Sequence, residues 1–356
     1  MVRTITALLL AFWAAAPERP LVIAHRGASG HRPEHTIAAY TLAVEMGADF
    51  IEPDLVSTKD GVLIARHENE LGDTTDVAQR FPARKTTKTI DGRAVTGWFS
   101  EDFTLAEIRQ LKARERLETR SHAYDGQFGI ATFEEVIALA DRLGRARGRA
   151  VGIYPETKHP SYFESIGLAL EPPLLASLEK HQLNLRDAPV FIQSFEAANL
   201  KRLKAMTSVR LVQLVSTPEQ VDAKALPEIS GYAAGIGAEK RLVQPVNEDG
   251  SLGPATDLVQ RAHALGLIVH VWTLRADKEF LPRAYGGDAT AEVRRFRDLH
   301  VDGFFTDFPD VGVKGLQSKS AAHMSAWSFR PPLAGLDVTA SPVSLSERQD
   351  RPAGRR

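Results

Sequence analysis

Leu21-Val22-Ile23-Ala24-His25-Arg26-Gly27 is a short apolar run that ends in a histidine, an arginine and a glycine. Runs of the same kind recur at residues 50–55, 62–65, 151–154, 189–193, 210–215, 233–237, 267–272 and 303–306, each bounded by polar or turn residues. Apolar runs of this length read as buried strands. Several are separated by segments with helical apolar spacing, at 36–46, 133–143 and 254–265, the last led by a proline suited to a first turn. Strands alternating with helices indicate a parallel sheet. About eight or nine of them over most of the chain fit an α/β fold of the TIM (β/α)8 barrel type. A doubly wound sheet is the rival, but its glycine-rich dinucleotide fingerprint is missing.

One connection breaks the rhythm. Residues 68–150 separate His67 from the next strand, whereas connections in α/β units run to about 2 to 6 residues. Part of this stretch reads as a helix over 105–117, with Thr104 as N-cap and Glu107 at the capping-box position. The part from 81 to 99 is polar and turn-rich. The reading is a barrel spanning 17–314, with a subdomain inserted after the third strand at about residues 70–130. After Val313 the periodicity fades, and residues 315–356, rich in Ser, Ala, Pro and Arg, read as a disordered tail.

At the other end, Met1-Val2-Arg3 is basic, and residues 5–16 are apolar except for Thr6, closing in Ala14-Ala15-Ala16. That layout is a secretory signal peptide over 1–16, although Pro17 is an imperfect residue after a cleavage site. A buried N-terminal helix is the plainer reading. Export, to the periplasm, is the expectation. No later segment is long and apolar enough to span a membrane, so no stable membrane insertion is expected.

Net charge is −1, which leaves no electrostatic case for nucleic acid or an anionic membrane surface. Cysteine is absent. Disulfides and thiolate catalysis are thereby excluded, and any metal must be held by oxygen or histidine.

The residues that carry chemistry cluster at strand ends. Glu52 and Asp54 are two apart in a strand-like run, so both leave the same face. If that face points inward, two carboxylates share a cavity, which is unfavourable without a cation. Lys59-Asp60-Gly61 supplies a turn, and the run from 62 to His67 would return antiparallel across a two-residue loop, setting His67 opposite Glu52 or Asp54. His25-Arg26-Gly27 closes the first strand, where barrel active sites gather. A histidine can give or take a proton near neutral pH, and Arg26 offers a rigid fork of donors for phosphate oxygens. Glu156 and Lys158 share a face at a later strand end. With Glu52 and Asp54, Glu156 makes three oxygen ligands for a hard divalent ion, and Lys158 adds a second positive contact for phosphate. Singly, each residue has a plain alternative: a structural histidine, a solvated strand face, a rim ion pair, or Glu34 capping the helix near Thr36. Jointly they point to a functional site.

At these residues the chain resembles the glycerophosphodiester phosphodiesterase family, in particular its exported bacterial branch. The resemblance rests on Ala24-His25-Arg26-Gly27-Ala28-Ser29-Gly30, Pro33-Glu34-His35-Thr36, Glu52-x-Asp54-Leu55, Thr58-Lys59-Asp60-Gly61 and His67. Further on come Thr75-Asp76-Val77-Ala78, Asp102-Phe103-Thr104-Leu105, Tyr154-Pro155-Glu156-x-Lys158, Gln193-Ser194-Phe195 and Phe305-Thr306-Asp307-Phe308-Pro309. It implies a TIM-type barrel, one divalent cation on Glu52, Asp54 and Glu156 (calcium rather than magnesium), and His25 and His67 as an acid–base pair. It also implies Arg26 and Lys158 on the phosphate, with Phe195 and Trp272 lining the glycerol end. Two positions depart from the family pattern: Glu68 follows the second histidine where aspartate is frequent, and His35 stands where asparagine is frequent.

The expected reaction is hydrolysis of a small-molecule glycerophosphodiester to glycerol 3-phosphate and an alcohol, through a cyclic phosphate. No nucleic acid or protein partner is implied. Two alternatives differ in outcome: a related lyase that cuts phospholipid head groups and stops at the cyclic phosphate, and a non-catalytic protein that captures glycerophosphodiesters.

Overall fold

The computed structural model describes residues 19–317. The readings of residues 1–16 as a signal peptide and of the segment beyond 317 as a tail lie outside the described residues. The strands are β1 (Leu21–His25), β2 (Phe50–Glu52), β3 (Asp54–Ser57), β4 (Leu63–Ala65), β5 (Thr86–Ile90), β6 (Arg93–Gly97), β7 (Gly152–Ile153), β8 (Glu156–Thr157), β9 (Phe191–Ser194), β10 (Arg210–Val215), β11 (Gly235–Glu239), β12 (Ile268–Leu274) and β13 (Gly303–Thr306). Pro53 separates β2 from β3, and Tyr154-Pro155 separates β7 from β8. A proline has no N–H to donate to the ladder, so each pair is one stave with a break in it. β1 pairs with β2, β2 with β7 and β3 with β8; β8 to β13 then pair in sequence, and β13 returns to β1. All these pairings are parallel, and the eight staves close into a (β/α)8 barrel. β4 lies outside the ring, antiparallel on β3.

Helices cover the outside of the barrel because each crossover must carry the chain back to the same edge. They include Ile37–Glu45, Phe133–Arg147, Glu171–Lys180, Ala197–Met206, Leu258–Ala264 and Ala289–Asp298. Phe133–Arg147 starts in a full capping box, Thr132 with Glu135, and ends on Gly148 in the left-handed conformation. The apolar core therefore has two parts. A large outer layer packs helices on strands, and Ile23, Phe50, Tyr154, Phe191, Val212 and Phe305 fill the barrel interior. Inside, Tyr154 stacks on Phe191 at 4.9 Å between centroids and bonds His270 Nδ1 through its hydroxyl at 2.9 Å.

The interior layer places the site. Side chains alternate along a strand, so residues two beyond an inward one also face inward. Two beyond Ile23, Phe50, Tyr154, Phe191 and Phe305 come His25, Glu52, Glu156, Gln193 and Asp307. Register then sets neighbours: His25 is level with Glu52, Asp54 with Glu156, and Glu156 with Gln193.

Several expectations from sequence are corrected. The β3–β4 turn is a three-residue loop, Thr58 bonding Val62, and its register pairs Leu55 with Ala65. Extended strictly, that register would set His67 opposite Pro53, not Glu52 or Asp54. The strand ends at Ala65, however, and the chain then turns so that His67 still lines the mouth cavity. The helix expected over 105–117 is one turn, Leu105–Ile108, although its capping box is present. Beyond it Leu111 and Ala113 are buried and Ala113 bridges to Thr75, so packing overrides helical continuation. The helix after Pro254 begins only at Leu258. Within 81–99 lies an antiparallel ribbon, β5 and β6, turning at Asp91-Gly92, where both residues have positive φ. Helix Pro309–Gln317 runs three residues past the expected barrel limit at 314.

Gly27 has φ +86, and a Cβ there would lie 2.7 Å from the Ala39 carbonyl carbon; Gly61 has φ +79 with nothing within 4 Å. Gly27→Ala should cost about 2–4 kcal/mol, combining left-handed strain with overlap. Gly61→Ala should cost about 1–2 kcal/mol from the backbone alone. Urea unfolding of both variants checks this, and equal losses would show that Ala39 does not constrain Gly27.

Candidate functional site

A cavity of about 330 Å³ opens at the C-terminal rim of the staves. His25, Arg26, Glu52, His67, Glu156, Phe195 and Trp272 all line it. Lys158 and Asp54 complete the set through direct contacts. Each residue singled out from sequence is therefore brought to one place.

Glu52, Asp54 and Glu156 are buried, and one oxygen from each lies within 4.8 Å of the others. Burial raises the Glu52 carboxyl well above the usual carboxylate range, and the charges of Asp54 and Glu156 push it further. Burial likewise raises Glu156 to about 8, against the pull of Lys158 and with the repulsion of Asp54. For Asp54 burial is outweighed: a hydrogen bond from His35, with Lys158 and Arg26 nearby, holds it well below its ordinary value. His35 donates from Nε2 to Asp54 Oδ2 at 3.0 Å and accepts at Nδ1 from the Tyr40 hydroxyl at 2.8 Å. Gln193 Nε2 donates to Glu52 Oε1 at 3.1 Å. Asp54 Oδ1 is buried and has no hydrogen-bond partner among the described residues. Three hard oxygen donors, one of them unpaired, make a fitting seat for a divalent ion of the calcium or magnesium type.

The cations stand around this seat. Arg26 has φ 61, and its own backbone N–H donates to Glu52 Oε2 at 2.7 Å. Its Nη1 bonds Glu34 at 3.1 Å, and its Nε lies 3.3 Å from Asp54 Oδ2. Glu34 is thus an anchor for Arg26, and not the helix cap: Thr36 caps helix Ile37–Glu45. Lys158 Nζ lies 3.1 Å from Glu156 Oε1 and donates to His67 Nε2 at 3.2 Å. Burial works against the Lys158 charge, and Glu156 and Asp54 more than offset it.

Both histidines have a carboxylate on Nδ1. His25 donates to Asp307 Oδ1 at 2.6 Å, and His67 to Glu68 Oε1 at 2.8 Å. A carboxylate can only accept, so Nδ1 carries the hydrogen and Nε2 keeps its lone pair. Burial, then the Arg26 charge, lowers His25 to about 4, and burial with Arg26 and Lys158 lowers His67 to about 3. Both shifts favour the neutral, proton-accepting form of the imidazole. At the far wall Phe195 and Trp272 meet edge to face at 5.7 Å, and Trp272 Nε1 donates to the Gly237 carbonyl at 2.8 Å.

Asp307 and Gln193 lie in the quoted motifs, where neither carries an expected role. The signal for both was parity, each lying two residues past an inward apolar residue of its stave. Arg66 had no signal. It is fully buried and donates to the carbonyls of Glu34, His35 and Ala65, which ties the loop holding Arg26 to the one carrying His67.

The model of the glycerophosphoryl diester phosphodiesterase family matches residues 25–311. A glycerophosphodiester phosphodiesterase of Arabidopsis thaliana is 38% identical over 317 residues, covering 82% of this chain and 84% of its own. One from Haemophilus influenzae is 32% identical, covering 83% and 90%. Among solved structures, a phosphodiesterase of Oleispira antarctica in complex with the product sn-glycerol-3-phosphate shares the fold. Its TM-score is 0.61 at 22% identity, over 84% of this chain and 98% of that one. A Silicibacter pomeroyi structure gives a TM-score of 0.62 at 22% identity, over 84% and 94%.

Because Glu52 and Glu156 hold protons above the usual carboxylate range, a cation entering the seat should displace them. Titrating chelated protein with calcium at pH 7 in buffers of different ionisation heat should show proton release, reduced in Glu156→Gln to the share that Glu52 contributes. Binding without proton release would contradict the raised carboxyls.

Proposed function

The chain belongs to the glycerophosphoryl diester phosphodiesterase family, and from that premise we propose that it hydrolyses glycerophosphodiesters to glycerol 3-phosphate and an alcohol by histidine acid–base catalysis. The observation that carries this reading is the convergence of two Nδ1-anchored histidines, two cations and three buried carboxylates on one cavity. The sn-glycerol-3-phosphate in the Oleispira antarctica structure is the product this reading requires.

Glu52, Asp54 and Glu156 would hold one divalent cation, calcium ahead of magnesium. Bound there, it supplies positive charge against the phosphoryl oxygens. Arg26 and Lys158 add their charges from the protein side, where a buried setting strengthens each contact. The glycerol end lies against Phe195 and Trp272. The glycerol hydroxyl next to the ester oxygen attacks phosphorus intramolecularly, a step favoured by proximity. One histidine, neutral, accepts that proton on Nε2, while the other, which enters the step as an imidazolium carrying an added proton on Nε2, delivers it to the departing alcohol. Water then opens the cyclic phosphate with the roles exchanged, so the proton count returns to its start. The apolar residues 5–16 support export to the periplasm, where such diesters would be met.

The test is metal-stripped full-length protein with glycerophosphocholine, following glycerol 3-phosphate before and after adding calcium or magnesium. Cation-dependent release is expected. A persistent cyclic product would replace this reading with a lyase, and saturable binding without release would replace it with a capture protein. His25→Ala and His67→Ala should each lower kcat by at least about 100-fold, and near-normal turnover in either would remove that histidine from the mechanism.

A further inference from the structure

We propose that the inserted subdomain is a positioning element for both histidines, acting through Arg120 on His25 and through Asp91 on His67. The inference rests on the acid–base assignment above and extends it to residues outside the barrel.

The first contact chain starts inside the insertion at Arg120, whose side chain is 5% exposed. Its Nη2 donates to Asp307 Oδ2 at 2.6 Å, and Asp307 Oδ1 accepts from His25 Nδ1. Arg120 is itself fixed from two other directions. Nε and Nη2 grip Asp277 at 3.0 and 2.6 Å, and Nη1 donates to the Ser29 carbonyl at 3.1 Å. Arg275 Nε also donates to Asp307 Oδ2, at 2.7 Å. Asp307 would thus keep a cation if Arg120 were lost. What Arg120 alone contributes is a link between the insertion and the carboxylate that orients His25.

The second chain starts at the turn of the β5–β6 ribbon. Asp91 Oδ2 accepts from His159 Nδ1 at 2.6 Å, and His159 Nε2 donates to Glu68 Oε2 at 2.8 Å. Glu68 Oε1 takes the His67 Nδ1 hydrogen at 2.8 Å. Glu68 therefore uses one oxygen on each histidine and joins them. His159 is 14% exposed and has φ 47, so backbone and side chain are both committed. The ribbon tip, far along the sequence from the barrel rim, ends one hydrogen-bonded line that terminates on His67.

A carboxylate bonded to an imidazole by one oxygen leaves the pair free to swing about that bond. Anchoring the second oxygen fixes the plane of the carboxylate and with it the direction of Nε2. Outer partners that orient metal-bound histidines change metal affinity or activity by about 10- to 100-fold, and an imidazole that transfers protons depends on its orientation in the same way. Both histidines here have one, and the insertion reaches each: Arg120 shares Asp307 Oδ2 with Arg275, and Asp91 holds the His159 that anchors Glu68 Oε2.

The experiment uses full-length protein with cation and glycerophosphocholine. Asp91→Asn, His159→Gln and Arg120→Gln are made singly and in His67→Ala and His25→Ala backgrounds. Each single variant should lower kcat about tenfold or more with KM within about twofold. Asp91→Asn should have no further effect in His67→Ala yet keep its full effect in His25→Ala, and Arg120→Gln should show the reverse. Wild-type kcat in Asp91→Asn and Arg120→Gln, or losses equal in both backgrounds, would overturn the proposal. Asp91 is half-exposed, so its arm remains decisive if Arg120→Gln does not fold. Should wild type fail to turn over the substrate, that would count against the reaction and not against the positioning. Proton NMR of the imidazole N–H signals then decides: Asp91→Asn should shift the His67 signal and spare that of His25, and an unmoved His67 signal would overturn the proposal.

Discussion

Three carboxylates crowded within 4.8 Å at a buried barrel rim are the constraint on which the rest of the site depends. Left to themselves they repel, and the protein meets the repulsion in three ways. Glu52 and Glu156 retain protons above their usual range, Arg26 and Lys158 stand beside the cluster, and His35 donates to Asp54. One acceptor, Asp54 Oδ1, still has no partner among the described residues. A buried orphan oxygen is costly to keep unless something binds there. The same cations and hydrogen-bond donors that stabilise the cluster also face the cavity where a phosphodiester would sit.

Much of this was legible in the sequence because one rule, the two-residue period of a strand, governs both core and site. Arg210–Val215 and Gly303–Thr306 appear as strands at the limits read from their apolar runs. Glu52 and Asp54, two apart, do leave one face toward the cavity. The same rule extends to Asp307: Phe305 belongs to the last strand and faces the barrel interior, and Asp307, two residues on, takes the next inward position.

What stayed illegible depended on local turn geometry and long-range packing. A loop of three residues instead of two between β3 and β4 shifts the register by one, which no apolar pattern reveals. The helix starting at Leu105 has its capping box but stops after one turn, because Leu111 and Ala113 are drawn into the core. The ribbon turn at Asp91-Gly92 is the opposite case. An Asp-Gly pair is a strong hairpin signal, and the polar character of its flanks concealed it. Arg66 and Arg120 could not be placed from sequence, since their partners are backbone carbonyls and carboxylates far away in the chain.

The central claim is that the carboxylate cluster exists to hold a divalent cation. The most direct measurement is the thermal midpoint of chelated protein across a calcium series, with Glu52→Gln alongside. The account predicts a rise in wild type that grows with the logarithm of cation concentration above the dissociation constant, and a much smaller rise in Glu52→Gln. A wild-type midpoint indifferent to calcium and to magnesium would contradict it.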